Sequence, residues 1–195
     1  MRVLPIIAAA LVLSVTTVSA DFTKQDTIDL NRLSDALNAI HSLKGEFVQL
    51  DPNGAVELGQ VYIQKPGKMR FEYKPPSTVL VVSDGVDVAV FNKKLNTKDR
   101  YPLSTTPLNI LLSDHVNLKG SSSVIGIDHK AGEIVVRARS NDRRVTGNIT
   151  IVFSDTDLAL KQWTVVDAQG LATTVTLRNV QTGVALAPEL FLTHG

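Results

Sequence analysis

Two periods run along this chain. From Leu30 to Ile40 the apolar residues Leu30, Leu33, Leu37 and Ile40 recur at helical spacing, with Asn31, Arg32, Asp35 and Asn38 on the opposite side; this spacing predicts an amphipathic helix. Asp26 or Thr27 is expected to cap its start, and Gly45 to end it. Beyond Gly45 the period becomes two. Met69, Phe71 and Tyr73 alternate with Arg70, Glu72 and Lys74, which predicts a strand carrying three large apolar groups on one face and three charges on the other.

Short apolar runs follow at Val79 to Ser83, Val86 to Phe91, Val124 to Ile127, Ile134 to Arg139, Asn148 to Phe153, Gln162 to Val166 and Thr173 to Leu177. Asp51-Pro52-Asn53-Gly54, Ser83-Asp84-Gly85 and Asp167-Ala168-Gln169-Gly170 read as hairpin connections, because Gly, Asn and Asp accept the positive φ of tight turns. Sequential strands are therefore expected to be antiparallel neighbours. About ten short strands so spaced predict a mainly β fold, one strongly curved antiparallel sheet or a barrel. A second helix is expected to open at Thr106-Pro107, with Thr106 as cap and Pro107 in the first turn, and to carry Leu108, Ile110, Leu111 and Leu112. Two short apolar helices against such a sheet serve either as lids over a concave face or as an ordinary core layer.

The first 20 residues change the picture of where this sheet folds. Arg2, the apolar run from Ile6 to Leu13 and the small residues Val18-Ser19-Ala20 have the form of a signal peptide with cleavage expected after Ala20. The apolar run is too short to span a bilayer. Residues 21–195 then form one domain of 175 residues, an ordinary size for a single core. No cysteine is present, so no lipid-bearing cysteine, disulfide or thiol nucleophile is available. Losing Arg2 leaves 19 basic against 19 acidic residues, a balance that argues against nucleic acid as a partner.

Candidate chemistry is sparse. His41, His115, His129 and His194 stand in no metal-ligand spacing, and no phosphate loop or nucleophile elbow occurs. Asp114-His115 and Asp128-His129 are sequence neighbours, which point to opposite faces of a strand and so do not cooperate. Ser121-Ser122-Ser123 reads as loop. The residues thus offer no catalytic, cofactor or metal site, so no enzyme is expected, and the apolar face of Met69, Phe71 and Tyr73 reads by itself as ordinary core covered by the helix of Leu33 and Leu37.

The string Tyr62-Ile63-Gln64-Lys65-Pro66-Gly67-Lys68-Met69-Arg70-Phe71-Glu72-Tyr73 resembles the LolA family in its basic residue, proline and alternating strand. The likeness continues through Pro75-Pro76, Leu80 to Gly85, Tyr101-Pro102-Leu103, Thr106-Pro107-Leu108, Gln162-Trp163-Thr164, Asp167 to Gly170 and Pro188-Glu189-Leu190-Phe191. The resemblance implies an incomplete antiparallel β-barrel covering an apolar cavity closed by short helices. It also implies a periplasmic carrier, acting as a monomer, that binds the acyl chains of lipoproteins. The implied partners are acylated lipoproteins, an inner-membrane lipoprotein-releasing ABC transporter and, at the far side, an outer-membrane lipoprotein receptor. On this mapping Met69, Phe71 and Tyr73 line the acyl-chain cavity. Leu33, Leu37 and Ile40 belong to an N-terminal lid, and Ile110, Leu111 and Leu112 to a central lid. Lys65 stands where familiar members have an arginine that latches the lid; lysine has three donors and no planar fork, so a weaker latch is expected. The alternative is a periplasmic regulator of the same half-barrel fold that senses lipid or lipoprotein. Such regulators usually carry a second domain, for which 175 residues leave no room.

Overall fold

The computed structural model describes residues 22–120, 123–140 and 142–193. The expected leader, Ser121, Ser122 and His194 lie outside the described residues. The helical period forms α1 (Lys24–Ala39). Its cap is Thr23 rather than Asp26 or Thr27: Thr23 Oγ1 accepts from the Asp26 N–H at 3.1 Å, and the Asp26 carboxylate accepts from the Thr23 N–H at 2.8 Å. This reciprocal pair satisfies two donors that the first turn leaves unpaired. The helix also stops well before Gly45, which instead sits inside a strand.

That strand is β1 (Ser42–Leu50), the first of a meander continuing through β2 (Val56–Gln64), β3 (Lys68–Tyr73), β4 (Val79–Asp84), β5 (Asp87–Asn92) and β6 (Thr97–Pro102). A second meander comprises β7 (Val124–Lys130), β8 (Glu133–Ala138), β9 (Asn148–Ser154), β10 (Leu160–Val166) and β11 (Ala172–Thr182). All join in one sheet of order β6-β5-β4-β3-β2-β1-β11-β10-β9-β8-β7. Each sequential pair within a meander is antiparallel, as the turn residues predict, and the sheet stays open with β6 and β7 as its edges.

The chain therefore leaves the middle of the sheet, reaches one edge and must cross to the other. Residues 103–120 carry most of that crossing, through a 3₁₀ turn (Leu103–Thr105) and a single-turn helix, α2 (Asn109–Leu112). Thr106 does not cap α2. Its hydroxyl donates back to Leu103 O at 2.9 Å, closing the 3₁₀ turn, and Leu108 precedes α2 with no side-chain cap.

Curvature is measured by the aromatic rings. Phe71 on β3 and Trp163 on β10 stand four strands apart, ~19 Å along a flat sheet, yet their ring centroids are 6.2 Å apart. Register shifts in the β1–β11, β9–β10 and β7–β8 pairs add local twist. Phe47 lies opposite Gly59, where a Cβ would sit 2.4 Å from the ring; only glycine lets the ring rest on the β2 backbone. On the convex side the turn Pro188–Phe191 folds over β3 and β4. Arg70 Nη1 donates to Leu190 O at 3.0 Å, and Phe191 and Val82 are buried. Among the described residues no helix is long and apolar enough to cross a membrane.

Candidate functional site

The alternation of β3 sends Met69, Phe71 and Tyr73 to the concave face. Phe47 from β1 meets Phe71 edge-on at 4.8 Å and Tyr73 at 5.0 Å. Such edge contacts add to the burial energy of each ring. The Tyr73 hydroxyl donates to Gln49 Oε1 at 2.8 Å, and burial pushes its pKa well above the ordinary tyrosine value. Around these residues a cavity of about 160 Å³ is bounded by Met69, Phe71, Tyr73, Leu108, Trp163 and Val165. A dry cavity of ~150 Å³ holds one benzene-sized group. That volume is too small for a whole fatty acyl chain.

The cover has two parts. Leu33 and Leu37 of α1 are buried over the sheet, as are Leu111 and Leu112 of α2, while Ile40 and Ile110 are half-buried at the margins. Ile40 faces a wider groove of about 620 Å³ between the end of α1 and β10–β11. The two parts are bonded to each other: Asn38 Nδ2 donates to Val116 O, and Asn38 Oδ1 accepts from the Val116 N–H, each at 2.9 Å. Ser34 Oγ accepts from the Leu118 N–H at 2.9 Å. Both are also held by the β2–β3 turn. Lys65 Nζ donates to Leu37 O at 2.9 Å, and the Gly67 N–H donates to Leu112 O at 2.9 Å. Gly67 has φ of 73°, and a Cβ there would lie 2.7 Å from Gly85 Cα, so this turn requires glycine.

A model of the family described as "Outer membrane lipoprotein carrier protein LolA" matches residues 38–194. The chain belongs to the LolA family. An outer-membrane lipoprotein carrier protein of Methylococcus capsulatus is 25% identical over 178 residues, 87% of this chain and 85% of that protein. An uncharacterized protein of Rickettsia prowazekii is 28% identical over 92 residues, 47% of this chain and 43% of the relative's length. Among solved structures, a DUF1329 family protein from Desulfovibrio piger superposes with a TM-score of 0.52 at 11% identity, covering 86% of this chain and 96% of that one. That likeness concerns the fold alone.

Within this LolA fold, Lys65 supplies the cation that the last turn of α1 lacks, at the carbonyl end where the helix dipole favours positive charge. Burial pulls its pKa down from 10.5 to about 8, against the attraction of Asp114. The closed structure therefore binds this proton less tightly than water-exposed lysine does. Raising the pH from about 8 to 10.5 strips the closed form first and favours it over open and unfolded forms, by up to ~tenfold per pH unit. Below that window both forms are protonated and the dependence vanishes. Affinity for a fluorescent acyl probe is thus expected to fall as pH rises from 8 to 10, and to stay level in Lys65→Arg, whose guanidinium keeps its charge. A flat wild-type profile refutes this coupling.

Several contributors are not marked as lining residues by the sequence. Phe47 lies in a strand with no clean period, Leu108 is expected only as part of the second helix, and Trp163 and Val165 simply fall within the run Gln162 to Val166. His129 is a further case: its Nε2 donates to Asp29 Oδ2 at 3.1 Å, fastening α1 to edge strand β7. Asp29 is buried, which alone would raise its pKa, but hydrogen bonds from Gln25, His129 and Arg32 hold the carboxyl below the ordinary range. Asp128, beside it, pairs with Arg137 instead. His41 and His115 are exposed, and no cluster able to hold a metal occurs among the described residues.

Proposed function

We propose that this protein is a periplasmic carrier that takes the acyl chains of lipoproteins released from the inner membrane and delivers them to the outer membrane. The observation that carries this reading is an apolar concave face, too small when closed for a chain, under a cover held by a few hydrogen bonds at the β2–β3 turn. Transfer of each methylene from a bilayer to water costs ~0.8 kcal/mol, so acylated proteins do not leave a membrane unaided. A carrier must accept that surface and later release it. Lifting α1 and α2 exposes Leu33, Leu37, Leu111 and Leu112, and this cost offsets part of the gain from acyl burial. In this reading the protein acts as a monomer without catalytic chemistry. It receives cargo from a lipoprotein-releasing ABC transporter of the inner membrane and gives it to an outer-membrane acceptor. The family membership and the Methylococcus capsulatus relative support it.

The test is native mass spectrometry of the protein purified after co-expression with a lipoprotein and the releasing transporter. A one-to-one complex bearing acyl groups is expected; recovery of only unliganded protein rejects the reading. Val165→Glu and Leu108→Glu place a carboxylate at the half-buried margin of the cavity and should abolish the complex while preserving the unfolding curve.

A further inference from the structure

The β5–β6 hairpin ends in Asn92-Lys93-Lys94-Leu95-Asn96-Thr97-Lys98. Leu95 is 66% exposed at its apex. The apex is ordered by Asn92, whose Oδ1 accepts from the Lys94 N–H at 3.1 Å and the Leu95 N–H at 3.2 Å, and by Asn96 at φ of 53°. Three lysines flank the leucine along the hairpin. None of Lys93, Lys94 and Lys98 has an ion-pair partner among the described residues; Lys98 lies over the Phe91 ring, 5.0 Å from its centroid. In a chain whose formal charge is only +1, this is a local concentration of free positive charge around one exposed apolar side chain. Asp99 is the sole acid between Lys93 and Lys98's neighbours on β6 before Arg100, which is held by Asp87 at 3.5 Å.

We propose that this tip is a reversible anchor for the surface of an anionic phospholipid bilayer. Leu95 enters the interfacial region while Lys93, Lys94 and Lys98 meet lipid phosphates, the pairing of apolar insertion and basic charge that holds peripheral segments on membranes. Strand register places the tip at the same end of the sheet as Tyr73, Gln49 and Val165, the half-buried margin of the concave cavity. An anchored molecule thus turns that end toward the bilayer. The inference does not depend on the carrier reading, since it concerns the empty protein.

Flotation with phosphatidylcholine vesicles, with and without phosphatidylglycerol, tests it. Binding is expected only to the anionic vesicles and to weaken with salt. The variant with Lys93, Lys94 and Lys98 changed to glutamine should partition about a hundredfold less, ~fivefold for each lysine removed. Leu95→Trp should give a blue-shifted emission on anionic vesicles, against a constant background from buried Trp163, the chain's single tryptophan. Matching denaturation curves establish that these exposed substitutions leave the fold intact. Absence of wild-type binding to anionic vesicles, equal binding to neutral ones, unchanged binding of the lysine variant, or tip-dependent binding confined to acidic proteins would each overturn the proposal.

Discussion

Phe71→Ala is expected to lower the free energy of unfolding by ~3–5 kcal/mol, the usual loss for an aromatic side chain removed from a packed core. It should appear as a fall in the urea midpoint with little change in slope. Phe71 is 4% exposed and makes edge-on contacts with both Phe47 and Trp163, so its removal takes the central ring from a cluster that spans the curl of the sheet. The same substitution extends the 160 Å³ cavity. Benzene or a short alkyl probe should therefore bind the variant more tightly than the wild type and recover part of the lost stability by mass action. A loss below ~1 kcal/mol would mean that the rings are not what holds the concave face together. Phe71→Glu, by contrast, is a poor probe of cargo loading. It would strand a carboxylate in this cluster and unfold the domain before loading could be read.

The second large effect is expected at Asn38, which bonds both backbone groups of Val116. Asn38→Ala leaves a buried N–H and C=O without partners, at ~1–3 kcal/mol for each unsatisfied group. The loss should be local. Hydrogen exchange at Val116 and Leu118 is expected to quicken by ~tenfold to a hundredfold, while amides in β1 and β11 keep their protection. Combining Asn38→Ala with Lys65→Met distinguishes two arrangements. If α1 and the crossing segment move as one body, the two changes are non-additive in acyl-probe affinity; strict additivity would show independent lids.

The parts of this architecture readable from sequence are those whose side chains face two different environments. Met69, Phe71 and Tyr73 alternate with charges because β3 has an apolar concave side and a polar convex side, and α1 repeats for the same reason. Strand β6, Thr-Lys-Asp-Arg-Tyr-Pro, is exposed throughout; it exists through its ladder with β5 and has no burial pattern to read. In β1, Gly45 looked like a helix terminator because glycine ends helices more often than it fills a bulge. The cover's fastenings were hidden for another reason. Asn38 and Val116, or Asp29 and His129, are far apart in sequence, and each is an ordinary polar residue or backbone group until the sheet brings the pair together. The family likeness reached Lys65, but its hydrogen bond to Leu37 O and the matching bond from Gly67 to Leu112 O required the fold.

The sheet order also carries a consequence for how the molecule assembles. Its two meanders are joined by the β1–β11 ladder, in which Leu43 lies opposite Thr182. That ladder cannot form until nearly the whole chain is present, and pairings of such long range are slow. Until then the first meander is a sheet whose Phe47, Met69 and Phe71 lack the second meander and whose β1 has one side unpaired, a form open to aggregation. The newborn protein must therefore survive an exposure of apolar surface to water that only the completed sheet removes.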